Sequence, residues 1–189
     1  MRRLLPLRFT AVALIALGVT GSSVSGKEES SAFVFKGVEY FHRWSQADQH
    51  EFTPAKQEDL DHWSDMITIN GYPGVDEGEK LAEAANAVLG NYQSHGAKVL
   101  KTNSVPRTEE RPAEHFISAL FSRPDFAEAA FARFEIVDGK GYSFVYSHRI
   151  YGAEAKKEME AWTTANGKAT EKALMEWTPS LVRLGGEKD

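Results

Sequence analysis

The sequence predicts an α+β fold with an antiparallel sheet of about six strands and two main helices. Period-two stretches of aromatic and β-branched residues recur along the chain, which is typical of strands. Most of these stretches are joined by short turns, as antiparallel strands are. One long stretch instead carries apolar residues at helical spacing. Hairpin-linked strands combined with separate helices indicate the α+β class.

The first strand is predicted over 33–43, with Gly37 as a bulge, and a short return strand over 50–52. A hydroxyl residue followed by proline, Thr53-Pro54, is a helix-start signal and predicts a short helix over 54–63. A strand over 65–70 follows, and a Gly-Tyr-Pro-Gly turn ends it.

The first main helix begins near Asp76, which has a glutamate three residues on, and ends at Gly96. Its apolar stripe consists of Leu81, Ala85, Val88, Leu89 and Tyr92. Strands are predicted over 98–102 and 114–121, with a proline-containing loop over 105–112 between them.

The clearest hairpin pairs residues 128–137 with 142–151 around the glycine-rich turn 138–141. The second main helix follows Gly152, and Asn166-Gly167 is expected to interrupt it. Connections by hairpins make the sheet antiparallel, and no internal repeat is visible in the chain.

The composition is that of an ordinary globular domain. The 189 residues are 42% hydrophobic and 26% charged, with a net charge of −5 and no cysteine. The missing cysteine excludes disulfides, thiolate metal sites and cysteine nucleophiles. The acidic balance argues against binding to nucleic acid, because a phosphate-binding surface is basic. The Gly-Lys-Gly of the hairpin turn lacks the spacing of a phosphate loop, and we expect no cofactor.

Residues 1–26 are predicted to be a signal peptide. Three arginines lie among the first eight residues, and the apolar run Phe9–Val19 is too short to span a bilayer. The small residues Val24 and Gly26 favour cleavage before Lys27. The alternative is an uncleaved N-terminal anchor. We therefore expect a periplasmic or secreted protein without stable membrane insertion after cleavage.

The rest of the chain divides into three parts. We expect a disordered leader over 27–31, a single α+β domain over 32–178 and a flexible, polar tail over 179–189. Removal of the signal peptide takes away arginines and no acid, so the mature chain is more acidic than the full one. The expected partner is a protein or a small ligand in the cell envelope.

The order of elements resembles that of the PsbP-like family, named for an extrinsic photosystem subunit. The resemblance depends on the entry Phe33–Tyr40, the strand Trp63–Ile69, the helix Asp76–His95 and the closing hairpin with its helix. It covers nearly all of the mature chain. It implies an αβα sandwich and a role in binding or assembly rather than catalysis, and it supplies no active-site residues.

One face of the hairpin is the candidate ligand-binding surface. Side chains alternate along a strand, so one face combines aromatic rings with a cation, an anion and an imidazole, as a ligand-binding floor requires. Its residues are Phe131, Arg133, Glu135, Tyr142, Phe144, Tyr146 and His148. The alternative is that a helix covers this face and that Arg133 and Glu135 form an ion pair at its edge.

The sequence favours a non-catalytic binding or interaction domain, with an enzyme as the alternative. A hydrolase or metal-dependent enzyme would use His148 or the group of His42, His50 and His62 with nearby acids. The spacing of these histidines fits no metal-binding motif, and the chain has no Gly-x-Ser-x-Gly nucleophile elbow.

Overall fold

The computed structural model describes residues 31–109 and 112–178. The expected signal peptide, the leader before Ser31 and the tail lie outside these residues. The described part contains eight strands rather than about six, together with two helices. The strands are β1 (Phe33–Phe35), β2 (Val38–Gln46), β3 (Gln49–Pro54), β4 (Asp65–Tyr72), β5 (Lys98–Val105), β6 (Glu114–Ser122), β7 (Phe126–Val137) and β8 (Lys140–Tyr151). The helices are α1 (Gly78–Ser94) and α2 (Ala155–Glu176).

All eight strands form one antiparallel sheet in the order β1-β2-β3-β4-β8-β7-β6-β5. Each half of the chain therefore builds a four-stranded meander, and the pairing of β4 with β8 joins the two. This pairing places Asp65 opposite His148 and Ile67 opposite Tyr146. The α+β class and the antiparallel sheet are confirmed.

The extra strands come partly from the first predicted strand, which is wrong as a single element. Lys36 and Gly37 have φ angles of 50° and 77°, so the chain turns tightly between β1 and β2. Positive φ at both central residues is the requirement of a type I′ two-residue hairpin turn. Gly37 thus belongs to a turn and not to a bulge.

The short helix predicted over 54–63 is also wrong. Thr53 and Pro54 end β3, and the chain then runs through turns to β4. The Gln57 side-chain Oε1 accepts hydrogen bonds from the backbone N–H groups of Ser64 and Asp65, both at 2.8 Å. This side chain thereby satisfies the backbone donors at the entry of β4. The segment therefore needs no helix to enter β4.

The predicted interruption of the second helix at Asn166-Gly167 does not occur, since α2 is continuous. A glycine in a helix costs about 1 kcal/mol relative to alanine. The buried side chains of Met159 and Leu174 hold the helix to the sheet on either side of Gly167. Tertiary packing thus overrides the local preference.

The helices pack on opposite faces of the sheet. Helix α1 covers a face of small residues, including Ala119, Ala130 and Ala132. Helix α2 covers the aromatic face, including Phe116, Phe131 and Phe144. Neither helix in the described part of the chain is long and apolar enough to cross a membrane.

Candidate functional site

The predicted aromatic face exists, and α2 covers it. The hairpin register pairs Phe131 with Tyr146, Arg133 with Phe144 and Glu135 with Tyr142, so the seven candidate residues share one face as predicted. Four of them are at most 5% exposed, namely Phe131, Arg133, Phe144 and Tyr146. The other three, Glu135, Tyr142 and His148, are half-buried. Of the two predicted alternatives, the structure shows the face covered by a helix.

Arg133 ties the end of α2 to the sheet. Its Nη1 donates to the carbonyl oxygens of Leu174 at 3.3 Å and Trp177 at 2.6 Å. Its Nε donates to Glu114 at 3.2 Å and its Nη2 to Glu135 at 2.6 Å. The last carbonyls of a helix lack partners within the helix, and this guanidinium supplies one. The ion pair with Glu135 was expected at an edge, but Arg133 is buried.

The buried position of Glu135 makes its carboxyl a weaker acid. Burial raises the pKa of Glu135, the guanidinium of Arg133 lowers it by less, and the charge of Glu114 raises it further. Two carboxylates share one cation here. The arrangement therefore serves to hold α2, and it uses four of the five N–H groups of Arg133.

A second group of polar side chains lies where α2 meets the β4–β8 seam. We call it the Asp65 cluster, and its members are Lys36, Tyr40, Asp65, Tyr146 and His148. Asp65 Oδ1 accepts hydrogen bonds from the Tyr146 hydroxyl at 2.6 Å and from His148 Nδ1 at 3.0 Å. The register of β4 and β8 brings these groups together from positions 81 and 83 residues apart. Asp65 is the electrostatic centre of the cluster.

Asp65 is held in its ionised form. Burial raises the pKa of its carboxyl, but the hydrogen bonds from His148 and Tyr146, the charge of His148 and a hydrogen bond from Gln57 together lower the pKa below its usual value. An ionised carboxylate only accepts hydrogen bonds. The Nδ1 of His148 therefore carries a hydrogen and donates a hydrogen bond to Asp65.

His148 is oriented on both sides. Its ring stacks on the indole of Trp162 with centroids 4.2 Å apart and an interplanar angle of 14°. With Nδ1 bonded to Asp65, the other nitrogen, Nε2, has no hydrogen-bond partner among the described residues. In the neutral ring this nitrogen is an acceptor. The side chain is 16% exposed, so the imidazole is fixed but accessible.

Lys36 reaches the cluster from the β1–β2 turn. Its Nζ donates to Thr170 Oγ1 on α2 at 2.9 Å and lies 5.6 Å from the centre of the Tyr146 ring. Burial lowers the pKa of Lys36, and the nearby charge of Asp65 opposes this. An ammonium has three N–H donors. Thr170 accepts from one of those of Lys36, which leaves two for other acceptors.

Tyr40 supplies a second buried phenol. The residue is 2% exposed, and its hydroxyl makes no hydrogen bond within the described residues. Burial and the charge of Asp65 raise the pKa of Tyr40, and the same two causes raise the pKa of Tyr146. Both hydroxyls therefore keep their protons at neutral pH and act as donors. The Tyr146 proton is committed to Asp65, and that of Tyr40 is not.

The proposed metal-binding histidines do not form one group. His42 and His50 lie on neighbouring strands with ring centroids 5.7 Å apart, whereas His62 stacks on Tyr151 at 4.1 Å. Within residues 31–109 and 112–178 no three His, Cys, Asp or Glu side chains are placed to hold a metal ion. Burial lowers the pKa of His50, and the charge of His42 lowers it further.

Sequence reasoning found two members of the Asp65 cluster, Tyr146 and His148, and missed the other three. Asp65 opens a strand from the other half of the chain, Lys36 lies in an unpredicted turn, and Tyr40 belongs to an edge region of the sheet. The alternation of β8 was the only available signal, because it put Tyr146 and His148 on one face.

Comparisons with solved structures give distant likenesses. The Ran-binding protein Mog1p of Saccharomyces cerevisiae aligns with a TM-score of 0.46 and 8% identity, covering 80% of this chain and 93% of that chain. Human STARD10 aligns with a TM-score of 0.30 and 6% identity, covering 73% of this chain and 74% of that chain. Likenesses this low carry no conclusion about this chain.

Comparisons of sequence give a family but no individual relative. No curated protein matches the chain. A protein-family model matches residues 29–177, which include nearly all of the described residues. The chain belongs to the family that this model describes.

Proposed function

We propose that this protein is an exported, non-catalytic domain that binds a small ligand or a partner group in the cell envelope, and that the Asp65 cluster is its binding site. The observation that carries the proposal is the hydroxyl of Tyr40. It belongs to a residue that is 2% exposed, lies near the Asp65 charge and has no hydrogen-bond partner within the described residues. Although the residue is buried, the hydroxyl oxygen itself is not enclosed by protein atoms, so it is open to water or to an acceptor group of a ligand.

Three neighbouring groups add to this support. Lys36 has donors left over, His148 presents Nε2, and the Trp162 ring flanks His148. Rings with a few convergent polar groups are typical of small-molecule sites. The cluster combines donors, an acceptor and both signs of charge, so it favours a polar ligand with more than one hydrogen-bonding group.

Export and a PsbP-like architecture remain part of the proposal. The apolar run that follows the N-terminal arginines supports export, and the packing of helices on both faces of the sheet is compatible with an αβα sandwich. A role in binding or assembly is what that resemblance implies. The fold alone would not assign the role.

The test is native mass spectrometry of the protein expressed with its own N-terminus and purified gently from the envelope fraction. We expect the protein to carry an additional bound mass. The double variant Tyr40→Phe/Lys36→Met should lose that mass while keeping the melting temperature of the wild type within a few degrees. The matched control Tyr142→Phe changes a phenol on the same sheet face, outside the cluster, and should keep it.

Two results would contradict the proposal. If the double variant keeps the bound mass, the Asp65 cluster is not the site. If the wild-type protein carries no additional mass in any envelope preparation, stable ligand binding itself is rejected. The protein mass also shows whether the chain is cleaved after Gly26.

The Asp65–His148 pair favours one second candidate, a hydrolase with His148 as general base. A carboxylate bonded to Nδ1 leaves Nε2 as the basic nitrogen, which is the arrangement that activates water or a hydroxyl. A panel of chromogenic esters and glycosides tests it. Turnover that disappears in His148→Gln would support the enzyme, and turnover unchanged by this substitution would reject His148 as the base.

A further inference from the structure

A separate cleft opens where α2 begins. It lies between the first two turns of this helix and the sheet edge formed by β5 and β6, and its volume is about 130 Å³. None of its residues belongs to the Asp65 cluster. The lining residues are Gly96, Lys98, Leu120, Phe121, Ser122, Ala127, Lys156, Met159 and Glu160.

The floor of the cleft is apolar. Leu120, Ala127 and Met159 are 8%, 2% and 1% exposed, respectively, and all three belong to the core under α2. An enclosed cavity of about 150 Å³ lined only by apolar side chains binds benzene, and this more open cleft has a similar volume. The volume therefore suits a single ring or a short alkyl chain, and not a larger cofactor.

The rim of the cleft is positively charged. Lys98 stands opposite Leu120 in the β5–β6 register, so its side chain lies on the sheet face that α2 covers. Neither Lys98 nor Lys156 has an ion-pair or hydrogen-bond partner among the described residues. Farther along β5, Lys101 does bridge to Glu171 of α2 at 2.6 Å. The gap between β5 and α2 is thus closed by an ion pair at one end and left open, with two unmatched cations, at the other.

We propose that this cleft binds a small monocarboxylate with an apolar tail. The tail occupies the floor, and the carboxylate lies between the two ammonium groups at the rim. A second negative charge would approach Glu160, which also lines the cleft, and this favours one carboxylate over two.

The experiment uses benzoate as the probe and benzyl alcohol as its uncharged analogue. Binding of each is monitored by NMR through the amide chemical shifts of the purified full chain. We expect benzoate to shift the amide signals around Leu120, Ala127 and Glu160. We expect benzyl alcohol to bind at least about tenfold more weakly than benzoate. The variant Lys98→Met/Lys156→Met keeps the length of both side chains and should weaken benzoate binding about tenfold. The control Lys157→Met/Lys168→Met removes the same charge from exposed positions of α2 outside the lining.

Each outcome of this experiment either supports or overturns the proposed carboxylate site. Benzoate shifts confined to the cleft, lost in Lys98→Met/Lys156→Met and kept in the control, support the proposal. Equal binding of benzoate to both double variants, or equal binding of benzyl alcohol and benzoate, overturns the assignment to a carboxylate. Shifts around Asp65 and His148, or none at all, overturn the cleft as the site. None of these results depends on whether the Asp65 cluster binds its own ligand.

Discussion

The imidazole of His148 lies nearly parallel to the indole of Trp162, 14° from coplanar and 4.2 Å away. One ring belongs to β8 and the other to α2, so the stack fastens the helix to the sheet. Arg133 fastens the same helix at its C-terminal end through Leu174 and Trp177. These two contacts hold the helix by different means, one by ring stacking and the other by hydrogen bonds from a guanidinium to backbone carbonyl oxygens.

The two buried phenols should respond differently to loss of the hydroxyl. Tyr146→Phe removes a 2.6 Å hydrogen bond to the Asp65 carboxylate and should lower the free energy of unfolding by about 2 kcal/mol. Tyr40→Phe removes a hydroxyl without a partner among the described residues and should change it by less than about 0.5 kcal/mol. Urea denaturation of both variants measures the difference. Equal losses in the two variants would contradict the hydrogen-bond assignment.

The Asp65 carboxylate should make part of the stability dependent on pH. Its pKa is lowered in the folded protein below its usual value of 3.8. A lowered pKa means that the stabilisation is complete above the unfolded-state value and is lost as the pH falls through the folded-state value. The advantage of the wild type over Asp65→Asn should therefore shrink as the pH falls below about 4. Denaturation curves of both proteins across this range measure it, and an advantage that grows on acidification would refute the assignment.

Replacing Arg133 by an uncharged residue should strongly destabilise the folded protein. The variant Arg133→Met leaves Glu114 and Glu135 without their cation and should lower the free energy of unfolding by about 4 kcal/mol. Neutralising both acids in the triple variant Arg133→Met/Glu114→Gln/Glu135→Gln should recover part of this loss, because no unpaired charge then remains buried. If the triple variant is less stable than the single one, the loss comes from packing rather than from charge.

Replacing two different glycines by alanine should change the stability of the protein in opposite directions. A Cβ at Gly141 would lie 2.5 Å from Val75 Cγ1 and 3.1 Å from the Val75 carbonyl oxygen, so Gly141→Ala should cost about 2 kcal/mol. A Cβ at Gly90, within α1, would meet nothing within 4 Å, so Gly90→Ala should add about 1 kcal/mol through helix propensity. Melting temperatures of the two variants should move apart, and a stabilised Gly141→Ala would show that the Val75 loop yields.

The sequence predicted what depends on neighbours along the chain. The face that carries Phe131 and Tyr146 follows from alternation within one hairpin, and the end of α1 shortly before Gly96 follows from a local turn, with φ of Gly96 at 77°. The same local reasoning placed a helix after Thr53-Pro54, because it had no means of detecting that Gln57 would bond to the entry of β4.

What the sequence could not show depends on partners that are far apart. Asp65 meets His148 only through the pairing of β4 with β8, and no spacing rule connects residues in different meanders. Likewise, the aromatic face is covered by α2, which packs on it through Met159 and Leu174 and bonds to Arg133 at its C-terminal end. A strand pattern shows which residues share a face but does not show what lies over it.

The order of strands has a consequence for how the cluster comes into being. Lys36, Tyr40 and Asp65 arrive with the first meander, and Tyr146 and His148 with the second. Hairpins form from local contacts, whereas the β4–β8 pairing closes a long loop and is the slower kind of step. Either meander alone would hold only an incomplete set of these groups. The complete cluster therefore exists only in the fully folded protein, after the two halves of the chain have docked.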